Sequence, residues 1–193
     1  MKPLAITGIL VLFALTCFAQ DGNKPFIDWQ RDVLTPADFT IIPDSTDTGK
    51  AGALIKTTFL YHYYVKPESK QAPSQVNFSV RTVFSQKDSW MKAGLVNDTS
   101  LLRHEQTHFD LAELYARKIA KAIAEKKAAE NIKEELRSIT SALSAELEKQ
   151  QKLYDEQTEH GLKKQEQATW QSFIKHELEK HAAFATKKVV YNI

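Results

Sequence analysis

Two histidines four residues apart, with a glutamate beside the first, are the residues of this chain best suited to metal-assisted chemistry. They lie in the segment His104-Glu105-Gln106-Thr107-His108. On a helix, residues i and i+4 share one face with side chains about 6 Å apart, so the two imidazoles can converge on a single cation. Glu105 could then accept a proton from a water molecule held by that cation. The spacing predicts zinc bound by His104 and His108, with Glu105 as general base.

The order of these residues is that of the His-Glu-x-x-His motif of zinc peptidases. The alternative interpretation is a histidine pair on a partly buried helix, with Glu105 in solvent. Because the segment is predicted to be helical and has apolar neighbours, we favour metal binding.

A catalytic zinc takes three protein ligands and leaves one position for water, so a third ligand is expected. If the helices fold back near Asn131, residues 154–160 lie opposite the motif histidines. His160 is the preferred third ligand, although a histidine at a helix end can also interact simply with the helix dipole. Asp155 is the alternative ligand, or else a carboxylate that orients one imidazole from behind. Tyr154 is the candidate for stabilising an oxyanion.

Two further acids on the motif helix are not expected to bind the metal. Glu113 lies nine residues after His104 and is turned well away from the face that the histidines share. Asp110 is expected to make a supporting or surface contact instead.

The chain changes character near Gly94, with residues 20–96 mainly β and residues 97–193 mainly α. Residues 52–65 and 76–84 are rich in aromatic and β-branched side chains and predict two antiparallel strands. A strand beside the cleft, with residues 76–84 as the candidate, could pair with an extended peptide.

Asn97-Asp98-Thr99-Ser100 can cap a helix start, and apolar residues then recur at near-helical spacing. Asn131 is the best candidate for a turn between this helix and the next, and a final helix is expected over residues 162–184. We therefore predict an α+β fold. A small antiparallel sheet packs on the long motif helix, which is followed by a helical hairpin and a C-terminal helix.

The N-terminus has the pattern of a secretory signal peptide. Lys2 precedes an apolar stretch over residues 4–18, and Cys17-Phe18-Ala19 places small residues where a signal peptidase reads them. We expect cleavage after Ala19, export to the periplasm or extracellular space, and no stable membrane span in residues 20–193. The only cysteine would leave with the signal, so zinc ligands must be histidines and carboxylates.

The charge pattern argues against nucleic acid as a partner. The formal net charge is only +2, and the 26% of charged residues alternate in sign rather than gathering in a basic patch. A peptide or protein substrate fits the motif better.

The sequence resembles a family of predicted secreted zinc-dependent proteases known as domain of unknown function 922, whose fold is zincin-like. The resemblance rests on residues 104–110 and on Tyr154-Asp155-x-x-Thr158-x-His160-Gly161. Trp29, residues 34–39 and Ser89-Trp90 are also similar. The resemblance implies a single zincin-like domain over residues 20–193. It also implies that His104, His108 and His160 bind zinc and that Glu105 is catalytic.

These observations together predict an exported zinc metallopeptidase. The alternatives are a zinc-binding protein without turnover, or an interaction protein of the cell envelope that uses its Lys- and Glu-rich helices.

Overall fold

The computed structural model describes residues 26–29, 33–67, 75–126 and 131–192, and in these residues the protein has an α+β fold. The predicted signal peptide, residues 1–19, lies outside the described residues. The strands are β1 Phe26–Asp28, β2 Thr40–Ile42, β3 Ala53–Leu54, β4 Thr57–Lys66, β5 Gln75–Ser85, β6 Trp90–Lys92 and β7 Lys188–Asn192, and the helices are α1 Thr99–Ala124, α2 Ile132–Thr158 and α3 Lys164–Lys180.

The larger sheet is antiparallel and is organised around β5. Strand β4 pairs with one side of β5 along its length, and β1 and β7 pair with the other side at opposite ends. The predicted strand over residues 76–84 is therefore confirmed, but its suggested role as a peptide-pairing edge is wrong, because both of its sides are occupied. The edge strand is β4, which pairs only with β5 in the part of the chain that the structure describes.

Alternation along β5 directs its apolar side chains onto the helices. Phe78 and Val80 pack in one core cluster with Ile119 and Ile123 of α1 and Leu136 of α2. Side chains two residues apart on a strand share a face, so this alternation buries one face of the sheet. The long helix predicted from the sequence thus has the sheet on one side, as expected.

A second, three-stranded sheet in the order β2-β6-β3 packs near the start of α1. Phe39, Ala53, Phe84, Met91 and Phe109 form a cluster that joins this sheet to β5 and α1. This packing holds the strand-rich half of the chain against the turn of α1 that carries the motif.

The three helices pack on one another through a further apolar cluster. Leu111 and Tyr115 of α1, Leu147 of α2 and Ile174 of α3 all belong to it. Helix α1 ends at Ala124 and α2 begins directly after Asn131, so the chain folds back where the sequence predicted. None of the helices among the described residues combines the length and the apolar character that crossing a membrane requires.

The structure differs from the predictions in three places. The strand expected over residues 52–65 is split into β3 and β4, because the chain crosses from one sheet to the other at Ile55 and Lys56. The last helix covers only residues 164–180 of the expected 162–184 and is followed by a short 3-10 turn. Strand β7 was not anticipated. It pairs with residues 75–79 of β5, on the side where β1 pairs only with residues 83–85.

Candidate metal centre

The start of α1 is fixed by a side-chain cap, and this sets the phase of the motif residues. The Asp98 carboxylate accepts hydrogen bonds from the backbone nitrogens of Ser100 and Leu101 at 2.9 and 3.0 Å. Such caps satisfy amide groups that have no partner within the helix. One and a half turns later, His104 and His108 are both buried on the face that α2 covers.

Asp155 of α2 joins the two histidines in a compact triangle. His104 Nε2 and His108 Nε2 lie 3.2 Å apart, and Asp155 Oδ1 is 3.1 and 3.0 Å from them. Tetrahedral zinc bonds of about 2.0–2.1 Å place ligand atoms about 3.3 Å apart. The three atoms therefore have nearly the spacing of a tetrahedral zinc site with a fourth position left open, and the residues fit the metal.

Electrostatics within this triangle favour a cation. Burial would raise the pKa of Asp155, but its hydrogen bonds with both histidines outweigh burial and hold the pKa well below the usual range. Burial lowers the pKa of His104, whereas for His108 the nearby Asp155 outweighs burial and raises the pKa. Metal ligands must give up their protons, so a divalent cation would replace the proton shared by these groups.

Glu105 lies next to the triangle in a water-poor environment. It is 4% exposed, and burial raises its pKa to about 7, with a further contribution from the charge of Asp155. His108 and a backbone hydrogen bond from Ile55 act in the opposite direction. A carboxylate with a pKa near neutrality is suited to accepting and then returning a proton. We call His104, Glu105, His108 and Asp155 the histidine cluster.

Gln151, which the sequence analysis missed, fixes the orientation of His108. Its Oε1 accepts a hydrogen bond from His108 Nδ1, and its Nε2 donates to the His108 backbone oxygen at 3.0 Å. With the Nδ1 proton bonded to Gln151, Nε2 is the nitrogen that faces Asp155 and the centre of the cluster, where it can exchange its own proton for a cation. The spacing offers a signal that could have found it, because Gln151 is four residues before Asp155 and so shares its helix face.

Tyr154 forms the wall behind the imidazoles. Its ring stacks on His104 with centroids 4.7 Å apart and planes at 19°, and it meets His108 edge-on at 4.9 Å. On its other side the ring contacts Trp170 of α3 at 5.5 Å. The side chain is fully buried, and burial raises the pKa of its hydroxyl. Its suggested role as an oxyanion stabiliser stays a prediction.

His160 lies at the solvent side of the cluster. Its Nδ1 is 3.4 Å from Asp155 Oδ1, and its side chain is 77% exposed. Glu159, His160 and Gly161 have φ angles of 49°, 55° and 85°, so α2 ends in three successive left-handed residues. Of the two candidates for third ligand, Asp155 is the one that the structure groups closely with the motif histidines. A role for His160 at the metal stays a prediction.

The histidine cluster opens into a large cleft of about 1250 Å³. One wall is formed by residues 50–59, which include β3 and the beginning of the edge strand β4, and the other by α2 and the segment after it. All four residues of the cluster and His160 line this cleft. A water molecule can therefore reach the cluster from this cleft.

A second buried group of charges lies farther along α1, and we call it the ion-pair cluster. Glu113 is fully buried and accepts hydrogen bonds from Thr82 Oγ1 at 2.9 Å, Arg117 Nε at 3.0 Å and Lys187 Nζ at 2.9 Å. As the helical geometry predicted, Glu113 is turned away from the motif histidines. These four residues satisfy one another without an added ion.

Asp110 connects α1 to the N-terminal segment. Its Oδ1 accepts hydrogen bonds from Trp29 Nε1 and Gln106 Nε2, both at 2.8 Å. Gln106 also accepts one from the Leu34 backbone nitrogen at 2.8 Å. Gln106 and Asp110 thus anchor the segment between β1 and β2 to α1.

Comparison with known proteins identifies a family and no individual relative. The model of a family described as a bacterial protein of unknown function, DUF922, matches residues 43–161. This range contains the whole histidine cluster and His160. No curated protein and no solved structure gives a significant match.

Proposed function

We propose that this chain, which belongs to the DUF922 family of bacterial proteins, is an exported zinc-dependent peptidase with Glu105 as its general base. The observation that carries the proposal is the placement of three ligand atoms at zinc-site spacing beside a buried carboxylate in one open cleft. Two imidazoles and a carboxylate suit zinc, and three protein ligands leave a position for water.

Zinc, when bound by His104, His108 and Asp155, would supply a Lewis acid that polarises water and a scissile carbonyl group. Glu105 takes a proton from the attacking water and delivers it to the leaving amine nitrogen. Burial raises the pKa of Glu105 and so makes it a stronger base than an exposed carboxylate, which suits both transfers. Gln151 keeps His108 in the tautomer whose Nε2 faces the cation.

A peptide substrate is supported by the cleft wall. Residues Thr57, Thr58 and Phe59 of the edge strand β4 line the cleft beside Glu105. An edge strand presents free backbone groups that an extended peptide can pair with. Export rests on the signal-peptide pattern of residues 1–19.

The proposal is tested with the full chain, expressed with its own N-terminus and recovered from the cell envelope or medium. We expect one zinc per chain by elemental analysis, and hydrolysis of an unstructured protein such as casein. Zinc at about 100 times its dissociation constant should raise the melting temperature by about 5–10 °C over the chelated protein.

Glu105→Gln is the matched control, since it keeps size and leaves the three ligands intact. This variant should keep its zinc and lose at least about 100-fold in hydrolysis rate. Equal rates for the two proteins would overturn the proposed mechanism. Zinc binding without hydrolysis in either protein would favour the non-catalytic alternative, and absence of both zinc and a chelator effect would favour an interaction protein.

A further inference from the structure

Both motif histidines need a hydrogen-bond acceptor for the proton on Nδ1, but only His108 has one in the described structure. Each directs Nε2 toward Asp155, so each must carry its proton on Nδ1 to act as a ligand. For His108 that proton goes to Gln151 of α2. For His104 the acceptor has to be found elsewhere.

His104 Nδ1 is buried and has no hydrogen-bond partner among the described residues. A buried donor of this kind costs free energy unless an acceptor satisfies it, and such groups in native proteins nearly always have one. The stacked Tyr154 ring covers the face of the imidazole and not its edge. The partner must therefore approach the edge of the ring that carries Nδ1.

Gln167 of α3 carries the complementary atom. Its side chain is 4% exposed, and its Oε1 is a buried acceptor that likewise lacks a partner in the described part of the chain. The amide nitrogen is committed elsewhere, because Nε2 donates to the Ser100 backbone oxygen at 3.3 Å. The assignment of oxygen and nitrogen is thus set by Ser100, and the oxygen is the end left for a donor.

Gln167 Oε1 and the base of the His104 imidazole both lie close to Gly161. A Cβ added to Gly161 would lie 3.0 Å from Gln167 Oε1, 3.0 Å from His104 Cβ and 3.1 Å from His104 Cγ. Gln167 Oε1 and His104 Cγ, the ring atom bonded to Nδ1, therefore lie on the same bare side of this glycine. Its φ of 85° also suits glycine, so no side chain separates them.

We propose that Gln167 is the positioning residue of His104. Its Oε1 accepts the Nδ1 proton through one bridging water molecule and so holds the Nε2 lone pair toward the cation. The inference rests on the metal centre proposed above. It makes α3 part of that centre, with one glutamine from α2 and one from α3 behind the two histidines.

The test compares three variants of the full chain by zinc competition with a chromophoric chelator. Gln167→Leu removes the acceptor and should weaken zinc binding by about 10- to 100-fold, the usual effect of losing a ligand's hydrogen-bond partner. Gln167→Glu keeps an oxygen for His104 but loses the donor to Ser100, and it should bind zinc within about threefold of the original protein. Gln171→Leu is the control, since Gln171 lies one turn later on α3 and donates to Thr107 instead.

A merely structural role for Gln167 gives a different pattern. If only its bond to Ser100 matters, the Leu and Glu variants should weaken zinc binding equally, and that result would overturn the proposal. So would a Gln167→Leu protein that binds zinc as tightly as the Gln171→Leu control.

Nitrogen NMR of the metal-free protein separates this inference from the proposed function. Because Asp155 also accepts a proton from His104 Nε2 when no metal is present, we expect a mixture of the two His104 tautomers in the original chain and a shift to the Nε2-protonated form in Gln167→Leu. An unchanged His104 tautomer in that variant would overturn the inference even if no zinc is bound. If the tautomer shifts but the protein binds no zinc, the role of Gln167 stands and only the proposed zinc site is wrong.

Discussion

Helix α1 carries two buried carboxylates in opposite electrostatic situations. Glu113 in the ion-pair cluster meets Arg117, Lys187 and a hydroxyl group, so its charge is fully compensated. Glu105 in the histidine cluster has a pKa raised to about 7, and no lysine or arginine among the described residues forms an ion pair with it or with Asp155. The ion-pair cluster contains its own cationic side chains, whereas the histidine cluster contains no lysine or arginine and can bind a metal cation.

The difference shows how to separate a structural cluster from a functional one when both are buried and polar. A buried charge without a partner costs several kcal/mol of folding free energy. Buried charges are therefore paired with an opposite charge or coordinate a metal ion. The ion-pair cluster should therefore govern stability, and the histidine cluster should govern metal binding.

The largest effect expected is on stability, from Glu113→Gln. This change leaves Arg117 and Lys187 buried without their carboxylate and should lower the free energy of unfolding by about 3–5 kcal/mol in urea denaturation. Zinc stoichiometry should stay at one per folded chain. The control is Glu125→Gln at the exposed pair with Lys121, which should change stability by less than about 0.5 kcal/mol. Equal effects at the two positions would erase the contrast between the clusters.

The second prediction concerns the third ligand. Asp155→Asn removes the anionic oxygen shared by the two histidines and should weaken zinc binding by more than the about 100-fold typical of outer partners. His160→Asn, at an exposed side chain, should change zinc affinity by less than about tenfold. Competition titrations at one pH give both values. The reverse order would identify His160 as the ligand and Asp155 as its neighbour.

The third prediction sharpens the comparison through pH. In the metal-free protein Glu105 binds its proton more tightly when folded, so it favours folding at low pH and disfavours it as the pH rises through about 7. Glu105→Gln should therefore stabilise the metal-free protein at pH 8 by up to about 3 kcal/mol, with little difference near pH 4. A melting-temperature series in chelator from pH 4 to 8 measures it. Parallel curves for the two proteins would contradict the raised pKa.

The smallest effect is expected from Gly161→Ala, which tests the packing behind His104. The added Cβ meets His104 and Gln167 at 3.0 Å in a left-handed backbone, so we expect a loss of about 2 kcal/mol. Gly49→Ala is matched in backbone, with φ of 61°, but has no atom within 4 Å, and should cost only about 1 kcal/mol. A Gly161→Ala protein no less stable than the Gly49→Ala protein would show that this contact is loose.

The sequence predicted what depends on local periodicity. The motif spacing placed His104 and His108 on one face of α1, the aromatic and β-branched run of residues 52–65 indicated β4, and alternation identified β5. The position of Glu113 followed from helical rotation alone. These predictions succeed because the periods of helices and strands are fixed by the backbone.

What the sequence could not predict depends on how elements meet. The choice between Asp155 and His160 turns on whether α2 is still helical there, and it ends at Thr158. Gln151 and Gln167 are distant in sequence from the histidines, and glutamine has no strong pattern of its own. Strand β7 is only five residues long and is stabilised by its register with β5.

A chain of aromatic contacts from His104 through Tyr154 to Trp170 links the histidine cluster to a fluorescent side chain. Indole emission responds to the charge and polarity of its surroundings, and Trp170 is two aromatic contacts away from the cluster, with its Nε1 bonded to Gln157 of α2. Trp29 touches the ion-pair cluster instead, through Arg117. In a variant whose single tryptophan is Trp170, binding of a cation to the histidine cluster should change the fluorescence. In a variant whose single tryptophan is Trp29, the same binding should leave the fluorescence unchanged.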